Sequence, residues 1–314
     1  MNYYFAPMEG LTDSVYRSLH HKYFPGVSAY YMPFMSPTVH RALTPREARE
    51  LPPADSVPFR AVPQLLTKVS EDFIWAASVC RELGYDEVNL NVGCPSGTVT
   101  AKGKGAGMLR DPDQLDRFLG EIFEKTALPI SVKTRLGFAS AEEFPALLEI
   151  FNRYPIKELT LHPRVRNDFY KGSVDMASFR YCLENSRAPV CYNGNLTSLS
   201  AIEAFRAEFP RVDSVMLGRG LIGDPGMLCP GGTDIRCLEA FMEELLEQYS
   251  VVFGSRRNAM FRLKENWHLL CCRFENSEKL TKKLRKTTDY DQFRAITAQI
   301  LHTLPLAKEL QPDW

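Results

Sequence analysis

Eight short stretches rich in β-branched and aromatic residues alternate with helical patterns between residues 3 and 217. This alternation is typical of βα units, in which successive strands run parallel and helices cover them. The predicted strands span residues 3–8, 27–32, 59–66, 86–92, 129–135, 158–162, 189–193 and 214–217. Eight such units over about 225 residues suit a closed barrel better than an open sheet. We therefore predict an α/β fold, a (β/α)8 TIM barrel.

The sequence pattern changes after Gly231 and Gly232. From Asp234 onward the apolar residues recur at helical spacing, and no further strand is indicated. We therefore predict a barrel domain over residues 1–233 and a small all-helical domain over residues 234–314.

Part of this helical segment is basic, although the chain as a whole has no net charge. Residues 255–294 contain eleven lysines or arginines and five acidic residues, so the rest of the chain carries a surplus of six negative charges. A basic region on an otherwise acidic protein suggests a polyanionic partner. An ordinary solvated helix face is the alternative interpretation.

Several classes of protein are disfavoured by the sequence. No apolar run approaches the roughly 20 residues of a membrane span, and the N-terminus has neither a basic region nor a small-residue cleavage site. The eight cysteines show no CxxC spacing, so we predict neither a disulfide framework nor a metal site. We expect a cytoplasmic monomer without membrane contact.

The stretch of residues 86–95 is the most unusual part of the predicted barrel. Its strand places Asn89 and Asn91 on one face, and Gly93 then breaks the strand into a loop that presents Cys94. A cytosolic cysteine is more often a small buried hydrophobe than a reactive group. Four further glycines between residues 97 and 107 indicate a shaped loop, which favours a functional thiol.

Unusual polar residues follow the predicted strands at the ends where barrels of this type carry their active sites. A buried lysine or arginine without an anionic partner costs several kcal/mol, so filling of the core does not explain the set. The residues are Met8 and Glu9 after the first strand, Gln64 on the third, Asn91 and Cys94 on the fourth, Lys133 and Arg135 on the fifth, His162 and Arg164 on the sixth, Asn193, Gly194 and Asn195 on the seventh, and Gly218, Arg219 and Gly220 on the eighth.

The two glycine-containing turns after the last strands lie where such barrels commonly bind a phosphate, and Arg219 would add a positive charge. Two plain turns are the alternative. A phosphate there and Lys133 deeper in the barrel suggest flavin mononucleotide, with Lys133 stabilising negative charge at the N1 and C2 carbonyl side of the reduced ring. Gln64 would bind the pyrimidine edge of the ring, and Pro7 with Met8 would supply an apolar wall.

Six motifs, in order along the chain, resemble those of the tRNA-dihydrouridine synthases. They are Ala6 to Gly10, Asn91 to Pro95, Val132 to Gly137, His162 to Arg164 with Tyr170 and Gly172, Asn193 to Asn195, and Gly218 to Gly220. The resemblance extends from residue 4 to residue 225, and the basic helical segment is similar in kind to the RNA-binding extension of that family. Pro163, Asp168 and Asn195 depart from the family pattern, which more usually has Gly, Gln and Asp at these positions.

The resemblance implies an FMN-dependent oxidoreductase that reduces the C5–C6 double bond of particular uridines in tRNA, with NADPH as electron donor. Cys94 is implied as the general acid, and Asn91, Arg135 and Arg164 as substrate-binding residues. Carried over by position, the implied flavin contacts are Pro7, Met8, Glu9, Gln64, Lys133, His162, Asn193, Gly194, Asn195, Gly218 and Arg219.

The implied mechanism sets a requirement on Cys94. Hydride delivered to uracil C6 leaves enolate-like charge toward O4, and Cys94 would protonate C5 from the opposite face. The pKa of this thiol must therefore stay near or above its free value, unlike the pKa of a nucleophilic cysteine. The target base must also leave the folded RNA to reach the barrel mouth.

Two other functions remain open from the sequence. The first is a different FMN barrel that reduces a small pyrimidine or an enoate, which would need no basic tail; salt-sensitive tRNA binding would distinguish it. The second is a barrel that binds RNA without redox chemistry, which would purify without flavin absorbance. The Gly-rich residues 103–107 lack the spacing of a dinucleotide fingerprint, so a tightly held nicotinamide cofactor is not predicted.

Overall fold

A single parallel sheet spans residues 2–217 of the protein, for which the computed structural model describes residues 1–310 and Pro312. Its strands are β1 Asn2–Phe5, β2 Ala29–Tyr31, β3 Ala61–Val62, β4 Gln64–Leu65, β5 Val88–Val92, β6 Ile130–Gly137, β7 Leu159–Val165, β8 Val190–Tyr192 and β9 Ser214–Leu217. The predicted helical domain reaches residue 314, and its residues 311, 313 and 314 lie outside the described part.

Pro63 divides the third strand of the barrel into β3 and β4. The sheet runs in the order β3, β2, β1, β9, β8, β7, β6, β5, β4, so its two edge strands are neighbours along the chain. Val62 pairs with β2 and Gln64 pairs with β5. Pro63 has no N–H, but its carbonyl accepts from the Asn89 N–H at 2.8 Å. The nine short strands therefore occupy eight positions of a closed barrel, which confirms the predicted TIM barrel.

The chain divides into two compact units. The first comprises residues 1–9, 28–195 and 210–216, and thus nearly all of the sheet. Its helices are α2 Pro45–Glu50, α3 Ser70–Glu82, α4 Gly97–Thr100, α5 Pro112–Lys125, α6 Phe144–Phe151 and α7 Met176–Asn185. Short 3-10 turns span Ala54–Ser56, Gly105–Arg110, Ala141–Glu143 and Arg166–Asp168.

The carboxyl ends of three strands differ from the predicted ones by two or three residues. β1 ends at Phe5 instead of residue 8, because Pro7 cannot donate a ladder hydrogen bond. β6 and β7 run on to Gly137 and Val165, beyond the predicted ends at residues 135 and 162. The side chains of Arg135 and Arg164 are buried, and the two strands stay paired as far as Gly137 and Val165.

The interior of the barrel is apolar on one side and polar on the other. The apolar side is a cluster formed by Tyr4, Ala6, Ala29, Tyr31, Val62, Cys191 and Met216. The polar side is contributed by Gln64, Asn89, Asn91, Ser131 and Lys133. Side chains alternate across a strand with a period of two, so β5 and β6 direct one set of residues inward and another toward the helices.

The second unit comprises residues 10–27, residues 196–209 and the chain from Leu217 onward. Its helices are α1 Ser14–Tyr23, α8 Leu199–Glu208, α9 Arg219–Gly223, α10 Ile235–Val252, α11 Arg256–Leu270, α12 Glu278–Lys286 and α13 Tyr290–Thr303, with a 3-10 turn at Cys271–Arg273. Asp13 caps α1 through the Tyr16 N–H at 3.0 Å, accepts from the Tyr249 hydroxyl at 2.9 Å, and pairs with Arg262 at 3.2 Å.

The predicted change to helical structure after residue 234 agrees with these elements. The described part of that segment contains helices and a single isolated bridge between Phe274 and Leu306. The domain boundary at residues 233 and 234 stays a prediction. Among the described residues, no helix is both long and apolar enough to cross a membrane.

Candidate active site

The loop that carries Cys94 begins directly where β5 ends, at the carboxyl end of the strand. Asn91 holds this loop, because its side-chain oxygen accepts from the backbone N–H of Gly93 at 3.0 Å and of Cys94 at 2.9 Å. Arg135 on the neighbouring strand donates from Nε to the Gly93 carbonyl at 2.9 Å. The thiol is therefore presented by a loop whose backbone is fixed from two sides.

The Gly-rich segment of residues 103–107 packs against the same loop. The Ala106 N–H donates to the Cys94 carbonyl at 3.1 Å. Gly105 adopts φ +56°, and a Cβ there would lie 3.0 Å from the Cys94 Cβ and from its carbonyl oxygen. Glycine is thus needed both for the backbone conformation and for the close approach. In the sequence these glycines indicated a shaped loop, but their role in packing against Cys94 was not evident.

A chain of hydrogen bonds crosses the polar side of the barrel interior and ends at Asn91. Ser131 donates to Glu87 at 2.5 Å, and Asn89 donates to the Ser131 oxygen at 2.9 Å. Gln64 donates to the Asn89 oxygen at 2.7 Å, and Asn91 donates to the Gln64 oxygen at 2.8 Å. A carboxylate only accepts and a backbone N–H only donates, so the two ends of the chain dictate the orientation of every amide between them.

Two cationic side chains bind Glu87, the residue at the other end of this chain of hydrogen bonds. Arg60 and Lys157 each lie 2.6 Å from the same oxygen of Glu87, whose side chain is almost fully buried. These charge-assisted contacts fix the position of the Glu87 side chain, whose other oxygen accepts from the Ser131 hydroxyl. The sequence placed Asn89 and Ser131 on interior faces without giving them a role, and it missed Glu87. An acidic residue inside an apolar strand pattern was the available signal.

Three cationic side chains collect at the carboxyl ends of β6 and β7. Lys133, Arg135 and Arg164 have no carboxylate within ion-pair distance among the described residues. Burial, with the neighbouring Arg135 acting in the same direction, lowers the pKa of Lys133 from 10.5 to about 8. Burial also lowers the pKa values of Arg135 and Arg164. This is an electropositive site that favours an anionic ligand.

The two arginines differ from Lys133 in their hydrogen bonding. Arg135 donates from Nη1 to the Val165 carbonyl at 3.0 Å, whereas within residues 1–310 the ammonium of Lys133 has no hydrogen-bond partner. Arg164 lies 2.9 Å from His162 Nε2 and 3.3 Å from Asn195 Oδ1. Because a guanidinium can only donate, His162 accepts through Nε2 and carries its proton on Nδ1.

The thiol of Cys94 is partly buried, and burial raises its pKa above the ordinary value. The backbone N–H of Ser96 and the charges of Arg135 and Lys133 act in the opposite direction, and the shift remains upward. The side chain is therefore a neutral thiol at neutral pH, as the implied proton donor must be.

The remaining predicted residues of the first unit lie at the ends of β1 and β8. Met8 packs on the apolar cluster of the barrel, whereas Glu9 is exposed and forms an ion pair with Arg46, which the sequence did not predict. Asn193 is buried and donates to the Met216 carbonyl at 2.7 Å. At Gly194 the Tyr192 side chain occupies the space that a Cβ would need.

Gly218 and Arg219 belong to the second unit. Gly218 is the N-terminal cap of α9, and its carbonyl accepts from the Leu221 N–H at 3.0 Å. Their predicted phosphate contact stays a prediction from the sequence. No group of three or more His, Cys, Asp or Glu side chains in the described part of the chain is arranged to hold a metal ion.

Comparison with known proteins gives a consistent result over most of the chain. The model of the dihydrouridine synthase family matches residues 4–311. A tRNA-dihydrouridine synthase B from Pasteurella multocida is 25% identical over 256 residues, which are 81% of this chain and 73% of the relative. A probable tRNA-dihydrouridine synthase from Rhizobium leguminosarum is 27% identical over 311 residues, which are 95% and 94% of the two chains.

Solved structures with a similar fold are more distant in sequence. An old yellow enzyme homologue from Zymomonas mobilis matches with a TM-score of 0.52 and 10% identity, over 71% of this chain and 86% of that one. Morphinone reductase in complex with tetrahydroNAD matches with a TM-score of 0.50 and 11% identity, over 72% and 85%. At such low identity the likeness concerns the barrel fold alone.

Proposed function

This chain belongs to the dihydrouridine synthase family, and we propose that it reduces uridine in tRNA to dihydrouridine with a bound FMN, NADPH as electron donor and Cys94 as proton donor. The chain is a flavin-dependent oxidoreductase of a CH–CH bond, as its family is. The identity of the flavin and of the nicotinamide, and the roles of individual residues, are the proposed part.

The three cationic side chains at the barrel mouth are the main support for FMN as the cofactor. Lys133, Arg135 and Arg164 face no carboxylate at ion-pair distance, and the Lys133 ammonium lacks a hydrogen-bond partner in residues 1–310. A buried charge without a partner is costly, so the site favours a ligand that brings negative charge. A phosphate-bearing flavin, whose reduced ring is anionic, meets this requirement.

Gln64 and Lys133 are the residues best suited to orient the flavin ring. Two of the hydrogen-bonding groups of Gln64 are used by Asn89 and Asn91, which leaves one Nε2–H and one oxygen lone pair in fixed directions. Such a donor and acceptor pair complements a pyrimidine edge. When bound, the flavin supplies the hydride for C6 of the uracil.

Cys94 delivers the proton to C5 of the uracil. The raised pKa keeps the proton on sulfur until it is needed. After the transfer the thiolate is stabilised by the Ser96 N–H and by the charges of Arg135 and Lys133, the same groups that counteract the effect of burial. Solvent then returns a proton to the sulfur.

Asn91, Arg135 and Arg164 are proposed to hold the substrate. The oxygen of Asn91 is occupied by the two loop N–H groups and one amide hydrogen by Gln64, so one N–H remains for a uracil carbonyl. The target base reaches this site only after it leaves the stacked RNA. The basic helix α12, which carries five lysines or arginines, would contact tRNA phosphates without reading sequence.

A cellular test separates the proposal from its alternatives. Dihydrouridine is mapped in tRNA from cells that lack this protein, from cells complemented with the wild-type chain, and from cells complemented with Cys94→Ala. We expect loss at one or a few positions, restoration by the wild type, and little restoration by the variant. An unchanged map would contradict the function, and full rescue by the variant would contradict the role of Cys94. Monomeric state and cytoplasmic localisation stay predictions.

A further inference from the structure

We propose that a surface of aromatic and arginine side chains beside the barrel mouth, partly exposed and partly half-buried, stacks and neutralises the nucleotides that flank the target uridine. We call this surface the stacking platform; it consists of Arg110, Phe138, Arg166, Phe169 and Tyr170. The proposal rests on the proposed function, because it assigns a further contact to the same RNA substrate.

Phe169 is held in a backbone conformation that side chains rarely adopt. Its φ of 52° and ψ of −102° resemble the first central position of a type II′ turn, which glycine dominates. The residue is nevertheless 39% exposed, so burial does not offset the cost. Strain of this kind persists where the surrounding structure imposes it, and it is concentrated at functional sites.

Two buried arginines impose the conformation of this loop. Arg135 donates to the Val165 carbonyl, at the start of the loop. Arg164 donates to the carbonyls of Lys171 at 3.1 Å and of Gly172 at 2.5 Å, at its end. The loop is therefore clamped on both sides, and Phe169 is presented in a fixed orientation before any ligand arrives. Such preorganisation lowers the entropy cost of binding.

The arginines of the platform alternate with its rings. The guanidinium carbon of Arg110 lies 3.7 Å from the centre of the Phe138 ring, and that of Arg166 lies 5.3 Å from Phe138 and 5.0 Å from Phe169. Neither arginine has a carboxylate at ion-pair distance among the described residues. Aromatic faces stack on bases, and guanidinium groups stack on bases or bind phosphates, so the combination fits single-stranded RNA.

Tyr170 connects the platform to the catalytic loop. The residue is 48% exposed. The centre of its ring lies 6.0 Å from that of the His162 ring and 5.2 Å from the Arg135 guanidinium carbon. The same Arg135 donates to Gly93, next to Cys94. The occupant is therefore the RNA immediately beside the reacting base. A base that leaves its stack deprives its neighbours of a stacking partner, and the platform replaces that partner.

The test compares Phe169→Gly with a matched control, Tyr181→Ala. Tyr181 is also 39% exposed but lies on α7, outside the platform. Binding of an unmodified tRNA transcript to the holoenzyme is measured by anisotropy, and KM and kcat for dihydrouridine formation are measured in parallel. Stacking on a single side chain predicts a rise of about tenfold in Kd and KM for Phe169→Gly, with kcat and flavin content unchanged.

Three further results complete the test. Because glycine relieves the strained φ, the melting temperature of Phe169→Gly should equal or exceed that of the wild type, which separates lost binding from lost folding. Phe169→Trp keeps an aromatic ring at this position and should bind tRNA about as tightly as the wild type. Arg110→Gln should reduce the dependence of the binding constant on salt concentration.

Wild-type Kd and KM for Phe169→Gly, or an equal loss for Tyr181→Ala, would overturn the proposal. The proposal would also be overturned if Phe169→Gly lost affinity for an unrelated acidic protein by the same factor as it lost affinity for tRNA. The binding measurement does not depend on turnover. A wild-type enzyme that binds tRNA but forms no dihydrouridine would contradict the proposed function, while the Kd values of the variants would still test the platform.

Discussion

The side-chain oxygen of Asn91 accepts the backbone N–H of Cys94 at 2.9 Å, so a residue of the barrel interior directly sets the position of the reactive thiol. The same oxygen accepts from Gly93, and the amide nitrogen of Asn91 donates to Gln64. A residue that aligns the thiol thus also orients the amide proposed to bind the flavin ring.

Asn91→Ala should loosen the Cys94 loop. Two N–H groups lose their acceptor, which costs roughly 1–3 kcal/mol for each buried group left unpaired, and the thiol becomes more accessible. We expect faster alkylation of Cys94 by iodoacetamide and a lower free energy of unfolding in urea. Asn91→Asp keeps an acceptor for both N–H groups and serves as the control; its negative charge disfavours the thiolate, so its alkylation should be no faster than that of the wild type. Equal alkylation rates in Asn91→Ala and the wild type would contradict the role.

Ser131→Ala should break the hydrogen-bond chain in its middle. The Asn89 amide then loses the acceptor that dictates its orientation, and Gln64 loses its fixed direction in turn. We expect a loss of roughly 1–3 kcal/mol in unfolding free energy and weaker flavin binding, measured by equilibrium dialysis. Thr134→Val is the matched control, because its buried hydroxyl on the same strand donates to the Arg135 carbonyl outside the chain. Similar flavin affinity in both variants would refute the linkage.

Lys133→Met should stabilise the flavin-free protein while it weakens flavin binding. The folded pKa of about 8 lies below the ordinary 10.5, so the unfolded chain binds the proton more tightly. The resulting penalty is fully present below pH 8 and disappears as the pH rises toward 10.5, which makes the wild-type apoprotein more stable with rising pH in this window.

Urea denaturation of both apoproteins at pH 7 and pH 9.5 checks the prediction for Lys133. The difference in stability between Lys133→Met and the wild type should be largest at pH 7, while other titrating groups cancel between the two proteins. A difference that does not change with pH would show that Lys133 is not the group responsible.

The rate of uracil protonation should follow the thiol form of Cys94. Because burial raises the pKa of this thiol, the single-turnover rate should stay level through neutral pH and fall only in alkaline solution. For the same reason iodoacetamide should modify Cys94 at pH 7 more slowly than it modifies a cysteine in a short peptide. Faster modification than in the peptide would indicate an activated thiolate and exclude the general-acid role.

Local patterns in the chain were sufficient for the barrel and for the inward face of β5 and β6. Strict alternation in β5 and β6 directs Asn89, Asn91, Ser131 and Lys133 inward, because side chains repeat with a period of two along a strand. The sequence also located the turn that presents Cys94, since a glycine and a proline surround it.

Only the tertiary structure decided which of these residues bind one another. Glu87 meets Arg60 and Lys157, which are distant in sequence, and Arg164 reaches forward to carbonyls of the following loop. The strained conformation of Phe169 likewise depends on clamps from Arg135 and Arg164. Periodicity reports the direction of a side chain but not its partner, because hydrogen-bond partners are selected by closure of the barrel.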